Sequence, residues 1–258
     1  MRFCCLASGS EGNSTLVESI SNGIAQRILI DCGLSLSLLK EKLFSRGLSP
    51  RDINGVFVTH EHQDHCKGIV PLVKSVEVPV FMTYGTFLAN REIRKNLSPV
   101  FLSPFKGIKF KGLEVNPIPV PHDARESVAL KVEDSSFKLG VLTDVGTITK
   151  NIRDALDDVD ALILEFNYDD SLLSKSKYPE ALKRRISSRQ GHLSNSSALK
   201  FAENFLQRKR KALVAAHLSS RNNSHNVVTN LLNKLCCEKE IVLLIADQND
   251  GTPWINLD

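Results

Sequence analysis

Gly55–Val56–Phe57–Val58–Thr59–His60–Glu61–His62–Gln63–Asp64–His65 is the stretch on which the reading of this chain turns. Its first half is β-branched and aromatic, the pattern of a buried strand. Its second half places three of the chain's seven histidines within six residues, with carboxylates among them. His60, His62 and His65 lack the i, i+4 spacing of one helical face, so a single helix cannot aim all three at one ion. A turn can, with His60 and His62 facing one point and Asp64 and His65 a second. Imidazole and carboxylate suit zinc, manganese or iron, and a catalytic site uses such ligands while leaving a coordination position open. A histidine-rich surface loop is the plain alternative. Four ligand-type residues at a strand end weigh against it, and the stretch reads as a metal site.

The composition is compatible with an enzyme. A chain of 258 residues, 42% hydrophobic, can bury a large core as one α/β domain or as two fused halves. A net charge of +4 permits an anionic substrate without demanding one. The N-terminal apolar run turns polar at Ser8, too early for a signal-peptide core, and no apolar run is long enough to span a bilayer. The six cysteines include two adjacent pairs, Cys4–Cys5 and Cys236–Cys237, and no Cys-x-x-Cys, so reduced, buried thiols are expected. These features together predict a cytoplasmic protein with no membrane partner.

Polar residues recur at strand ends. Strands are expected at Arg2–Leu6, Thr15–Ser19, Arg27–Ile30, Val78–Met82, Leu113–Val120, Lys138–Leu142, Ala161–Leu164, Ala212–Ala216 and Glu240–Ala246. Asp31, His60, His122, Asp144, Glu165 and His217 each lie at or just beyond the C-terminal end of an apolar run. Any one of them is an ordinary end-cap, but six suggest that several strands deliver polar groups to one rim, where α/β sheets bind ligands. Asp31 suits a partner that orients a metal-binding histidine, and an ordinary strand-end carboxylate explains it equally well. Helices are expected over Ser35–Arg46, Ile69–Ser75, Thr86–Lys95, Tyr178–Ser188, Ala198–Gln207 and Asn226–Leu235. Ser194 or Asn195 would cap the fifth of these, and Ala198, Phe201, Ala202, Phe205 and Leu206 would form its buried stripe. The alternation of strands and helices runs twice along the chain without a linker, as one domain over 1–258 built of two similar halves.

Three segments stay ambiguous at this level. Ser8–Gly9–Ser10–Glu11–Gly12–Asn13–Ser14 is a turn able to hold an anion, although a plain hairpin fits its spacing better. Gly191–His192–Leu193–Ser194–Asn195 places His192 either in the site or in a loop capping the next helix. Arg208–Lys209–Arg210–Lys211 reads as a solvated helix end in preference to a nucleic-acid patch.

Thr59–His65 resembles the His-x-His-x-Asp-His signature of the metallo-β-lactamase fold superfamily, and Asp31, His122, Asp144 and His217 follow that family's order. The resemblance implies a four-layer αββα sandwich holding two divalent metals, with Zn2+, Mn2+ and iron as the candidates. It implies that His60, His62 and His122 hold one metal, that Asp64, His65 and His217 hold the other, and that Asp144 bridges them. The chain is most similar to the WalJ/YycJ-type hydrolases through Leu6–Ser10, Gly12–Ser14, Gly191–Asn195 and Ala216–Ser219, and more distantly to tRNase Z. That kinship implies proton transfer by Glu165 and His192. The chain departs from it at Tyr168, where the related hydrolases carry His, and it lacks the long cap domain of the RNA-processing relatives.

The resemblance implies a phosphodiesterase acting on nucleic acid, DNA first, as a 5′-exonuclease working through a metal-bridging hydroxide. Asp64 would orient the nucleophile, His192 would protonate the leaving alkoxide, and Ser8, Ser10, Asn13 and Ser219 would contact phosphate. A small-molecule hydrolase acting on a thioester, lactone or cyclic phosphodiester is the alternative, because the fold hosts all of these. A catalytically silent metal-binding protein is a third reading. Its hallmark is missing ligands, and all seven expected positions are filled here.

Overall fold

Strands that are apolar on both faces must be covered on both faces, and the chain meets that demand by stacking two sheets between outer helices. The computed structural model describes residues 1–235 and 240–258. The first sheet is built from β1 (Arg2–Ala7), β2 (Ser14–Ser21), β3 (Ile24–Ile30), β4 (Gly55–Phe57), β5 (Val80–Thr83) and β6 (Val100–Leu102). The second takes β7 (Ile108–Phe110), β8 (Leu113–Pro119), β9 (Val128–Glu133), β10 (Lys138–Leu142), β11 (Ala161–Glu165), β12 (Ala212–Ala216) and β13 (Val242–Ile245). The last strand, β14 (Ile255–Asn256), returns to pair with β1. The sheet orders are β14-β1-β2-β3-β4-β5-β6 and β13-β12-β11-β10-β9-β8-β7. In each, one end is antiparallel and the other parallel, with β3 to β6 parallel in the first and β10 to β13 in the second.

Outside the first sheet lie α1 (Leu36–Phe44), α2 (Gln63–Cys66), α3 (Ile69–Ser75), α4 (Tyr84–Ala89) and α5 (Arg91–Asn96). The second sheet carries α6 (Lys150–Leu156), α7 (Asp170–Lys175), α8 (Glu180–Ile186), α9 (Asn195–Phe205) and α10 (His225–Leu235). Three cores follow from the layering. Phe57, Val17, Leu130 and Ile163 meet between the sheets. Val56, Val58, Leu39 and Leu72 pack under the first helical layer, and Leu162, Ile152, Ala198 and Leu232 under the second. The four-layer αββα architecture expected from the sequence is therefore present. Among the described residues, no helix is long and apolar enough to cross a membrane.

Several expectations need adjustment. The helix expected over Thr86–Lys95 is two helices, because Asn90 takes an extended backbone and its side chain accepts the Ile93 N–H to cap α5. Ser194, not Asn195, caps α9 by accepting the Ser197 N–H. Phe44, at an apolar helical position, is 83% exposed, whereas Leu39 and Leu43 are buried. Strands β6, β7, β9 and β14 and helices α6 and α7 were not expected. Most are too short for a periodic signal, and pairing with a longer neighbour makes them. Cys4, Cys5, Cys32 and Cys66 are free and buried as expected, and Cys236 and Cys237 lie outside the described residues.

Glu18 ties the antiparallel end of the first sheet together. It faces Arg2 on β1 and Arg27 on β3 across the strands and accepts from both guanidinium groups at 2.6 Å. Burial opposes its ionisation, but the Arg2 hydrogen bond and the Arg27 charge outweigh that and hold its pKa below the ordinary glutamate value. Its contribution is present above the unfolded-state pKa and is lost as pH falls through the lower folded-state value. Glu18→Gln is expected to destabilise the fold by about 1–3 kcal/mol at neutral pH, with the deficit shrinking in acid. Urea melts at two pH values check this, and an equal deficit at both would contradict it.

Candidate metal centre

The parallel strands of both sheets end on one rim, and six of the seven histidines gather there. His60 follows β4 and His217 follows β12, while Asp31, Asp144 and Glu165 stand at the ends of β3, β10 and β11. His122 lies beyond β8, and Asp64 and His65 lie on α2. Asp31, Asp144 and His217 adopt left-handed backbone, with φ of 59°, 54° and 55°. Such backbone strains a residue bearing a Cβ and persists only where the surroundings impose it. Here they do: the Asp31 N–H donates to the Phe57 carbonyl, and the His217 N–H donates to Ser8 Oγ, both at 2.8 Å.

A single rule organises the imidazoles. His65 Nδ1 donates to Asp31 Oδ2 at 2.8 Å, and His60 Nδ1 donates to Thr59 Oγ1 at 3.0 Å. His122 Nδ1 donates to the Gly191 carbonyl at 3.0 Å. His192 and His217 both donate Nδ1–H to Glu165 Oε1, at 2.8 and 3.1 Å. With Nδ1 protonated and engaged, Nε2 of each ring is left as a lone pair, as metal-ligating histidines require. Thr59 extends the rule: its hydroxyl donates to Asp31 Oδ2 and its N–H to Asp31 Oδ1, both at 2.8 Å, so Asp31 orients His65 directly and His60 through Thr59.

The free ring nitrogens converge, His62 facing His122 through Nδ1. His60, His62 and His122 form one group whose potential ligand atoms lie within 4.8 Å of one another, and Asp64, His65 and His217 form a second. Asp144 lies between them, with Oδ2 3.0 Å from His65 Nε2 and Oδ1 3.7 Å from His122 Nε2. Two buried atoms there, His60 Nε2 and Asp144 Oδ2, have no hydrogen-bond partner among the described residues. His62 Nδ1 lies 3.2 Å from His122 Nε2, already a lone pair. Lone pairs facing one another at such distances need a proton or a cation between them, and oxygen and imidazole donors in these numbers fit a divalent metal.

The electrostatics agree. Burial disfavours protonation of His217, yet Asp144, Asp64 and Glu165 outweigh it and push its pKa up to about 10. Burial likewise opposes protonation of His65, and Asp144 with Asp31 holds it well above the imidazole range. His60, buried beside a positive His65, is held well below that range. Burial raises the Glu165 carboxyl, but His192 and then His217 bring it down to about 2. The carboxylates thus draw positive charge into the cluster, which a cation supplies without protonating the ligands.

The structure also assigns the remaining residues. His192 belongs to the rim and not merely to a capping loop. Glu165 is fully buried, and its other oxygen accepts the Val145 and Leu193 N–H groups at 3.0 Å, so it acts by holding His192 and His217. The phosphate contacts fare differently. Ser8 is buried beneath His217, and Asn13 is buried with Nδ2 3.1 Å from His65 Nε2 and 3.3 Å from Asp64 Oδ2, so both brace the candidate ligands. Ser219 Oγ accepts the Asn222 N–H within its own turn, and only Ser10 is fully exposed. Tyr168 is buried behind the Gly191–Asn195 loop, joined by backbone to Ser194 and Asn195. Burial pushes the Cys66 thiol up to about 12, which disfavours the reactive thiolate. Arg208 and Arg210 are spent on the Asp157 carbonyl, before β12 and so at the opposite end of that strand from His217. Sequence reading missed Thr59, whose role lies in tertiary contact, and Gly33, where a Cβ would meet the Asp64 carbonyl oxygen at 1.7 Å.

A family model described as the beta-lactamase superfamily domain matches residues 26–217. The exodeoxyribonuclease YycJ of Bacillus anthracis is 31% identical over 243 residues, spanning 93% of this chain and 90% of that protein. Among solved structures, the metallo-beta-lactamase fold protein YhfI from Bacillus subtilis aligns with a TM-score of 0.73 at 16% identity, covering 98% of this chain and 99% of its own. Zn(2+)-bound PqqB from Methylobacterium extorquens aligns with a TM-score of 0.71 at 15% identity over 100% of both chains.

Asp31→Asn would keep the shape but weaken the anchoring of His65 and Thr59. Metal affinity is expected to fall about 10- to 100-fold, measured by competition with a chelating dye. An unchanged affinity would contradict the orienting role.

Proposed function

The chain belongs to the beta-lactamase superfamily and is a metal-dependent hydrolase, and on that premise we propose that it cleaves the phosphodiester bonds of nucleic acid, DNA first, from a 5′ end. In this reading 1–258 form one hydrolase domain of two similar α/β halves. The observation that carries the proposal is the pairing of two ligand groups across Asp144 with an anchored imidazole, His192, at the open side of the same rim. The exodeoxyribonuclease name of the relative from Bacillus anthracis supports the substrate class.

His60, His62 and His122 would hold one divalent ion, Asp64, His65 and His217 a second, with Asp144 between them. Zinc and manganese both suit these donors, and iron is compatible with them. Ions held there supply Lewis-acid polarisation of a phosphoryl oxygen and lower the pKa of water. The chain's own residues do the rest. Asp64, held by Asn13 and 24% exposed, keeps a carboxylate oxygen toward the open side to orient the attacking water. Glu165 holds the His192 ring through Nδ1 and, against burial, raises its pKa, so that as an imidazolium the ring would carry on Nε2 the proton it delivers to the departing alkoxide. Arg185, paired with Asp123 beside His122, places a cation at the rim where a phosphate would enter.

Two variants separate these roles. Asp64→Ala is expected to abolish metal-dependent cleavage of 5′-labelled DNA and to lower bound metal. His192→Ala is expected to slow DNA cleavage by about 10²- to 10⁴-fold while slowing bis(p-nitrophenyl) phosphate far less, because p-nitrophenolate leaves without a proton. Equal losses on both substrates would remove the general-acid role. A metal-loaded chain that leaves every phosphodiester intact would overturn the whole reading.

A further inference from the structure

Strands β6 and β7 are the edges of the two sheets on one flank, and the segment Tyr84–Gly112 builds that flank. It carries six Lys or Arg (Arg91, Arg94, Lys95, Lys106, Lys109 and Lys111) against one acidic residue, Glu92. The segment's net charge is therefore +5 in a chain of net +4, which leaves the other residues at −1. All six cations are exposed, and none makes a salt bridge or side-chain hydrogen bond among the described residues. The same flank exposes aromatic rings: Tyr84 at 54%, Phe101 at 49% and Phe105 at 84%. Tyr84 and Phe101 are not loose. They meet edge to face at 5.2 Å, and Phe87 braces Phe101 from a ring distance of 5.3 Å.

The flank reaches the metal centre. Phe57 pairs with Phe81 on adjacent parallel strands, and His60 and Tyr84 each follow three residues later, beyond the ends of those two strands. Phe101 pairs with Met82 on the next strand. The loop after His122 bridges the two regions. The Arg125 N–H donates to Glu61 Oε1 at 2.8 Å, and Glu126 accepts from the Gly85 N–H at 2.6 Å and from Thr83 Oγ1 at 2.8 Å. Arg125 Cγ lies over Gly85, beside Tyr84, and its guanidinium has no partner among the described residues.

We propose that this flank is a stacking platform for single-stranded nucleic acid, on which Tyr84 and Phe101 take unpaired bases while Arg125 and Lys106 take the adjoining phosphates. Exposed aromatic faces set among unpaired cations are the chemistry that binds single strands with little sequence preference. A lysine on an edge strand, as Lys109 is on β7, also discourages sheet-to-sheet pairing, but that function does not account for Phe101 exposed on β6, the edge of the other sheet, which carries no charge. A second copy of the chain is a poor occupant, since it would set two +5 surfaces against each other. The inference rests on the nucleic-acid reading above and adds to it the form of the substrate next to the site: a strand already unpaired as it reaches His60 and His62.

The test measures fluorescence anisotropy of the metal-loaded chain with a labelled single strand and with a blunt duplex of the same sequence. Both carry phosphorothioate linkages, so that they are bound and not cut. Tyr84→Ala combined with Phe101→Ala is expected to weaken single-strand binding at least about tenfold, with a smaller loss on the duplex, and Phe101→Trp is expected to restore it. Arg125→Gln should reduce the salt slope of single-strand binding by about one. Unchanged single-strand affinity in a double variant that melts like the parent overturns the platform, as does a parent that binds no single strand. A parent that is dimeric by sedimentation, with a monomeric variant of unchanged affinity, assigns the flank to a second copy instead. If unmodified DNA stays uncut but single-strand binding is lost in the variant, the nuclease reading fails and the platform stands. If parent and variant bind and cut alike, only the platform falls.

Discussion

One buried carboxylate at the end of each sheet holds the site together. Asp31, at the end of β3, accepts from Thr59 N–H, Thr59 Oγ1 and His65 Nδ1, each at 2.8 Å. Glu165, at the end of β11, accepts from two backbone N–H groups and from His192 and His217. These contacts fix which nitrogen carries the proton, and so which is free, in His65, His192 and His217, and in His60 through Thr59. Without them those four rings would rotate, and their lone pairs would converge only by chance. Burying carboxylates and imidazoles together costs several kcal/mol per uncompensated charge, so the arrangement is stable only with its hydrogen bonds complete and its charge balanced by a cation.

The scaffold exists to impose that geometry. Sheets apolar on both faces need three cores, and the three cores bring the C-terminal ends of both parallel strand sets to one rim. The left-handed backbone at Asp31, Asp144 and His217 shows where the strands turn sharply to aim a side chain inward. Residues that look as if they could touch substrate are spent on these turns. Ser8 holds the His217 backbone, and Asn13 lies against Asp64 and His65.

Much of this was legible in the sequence, for reasons that can be named. Strands such as Val56–Val58 and Ala212–Ala216 are long enough in apolar character to stand out. The His60–His65 spacing excludes one helix and suggests two facing points, and His60–His62–His122 and Asp64–His65–His217 are two of the four overlapping groups that the structure brings together among the described residues. What was not legible depends on tertiary contact. Strand β6 has only three residues and takes its identity from its neighbour, and β9 is set in the sheet by its pairing with β8 and β10. A serine in a turn looks the same whether it faces solvent or buttresses a histidine. The run Arg208–Lys211 reads as a solvated helix end in preference to a nucleic-acid patch, and only the fold shows Arg208 and Arg210 bound to the Asp157 carbonyl at the end of β12 away from the site.

The central claim is that these residues form a two-ion site that cuts phosphodiesters. The most direct measurement titrates the metal-free chain with Zn2+ or Mn2+ while following release of label from 5′-labelled DNA. The account predicts no release without metal and a rise that saturates at two equivalents per chain. Saturation at one equivalent, or release in the presence of excess chelator, would contradict it.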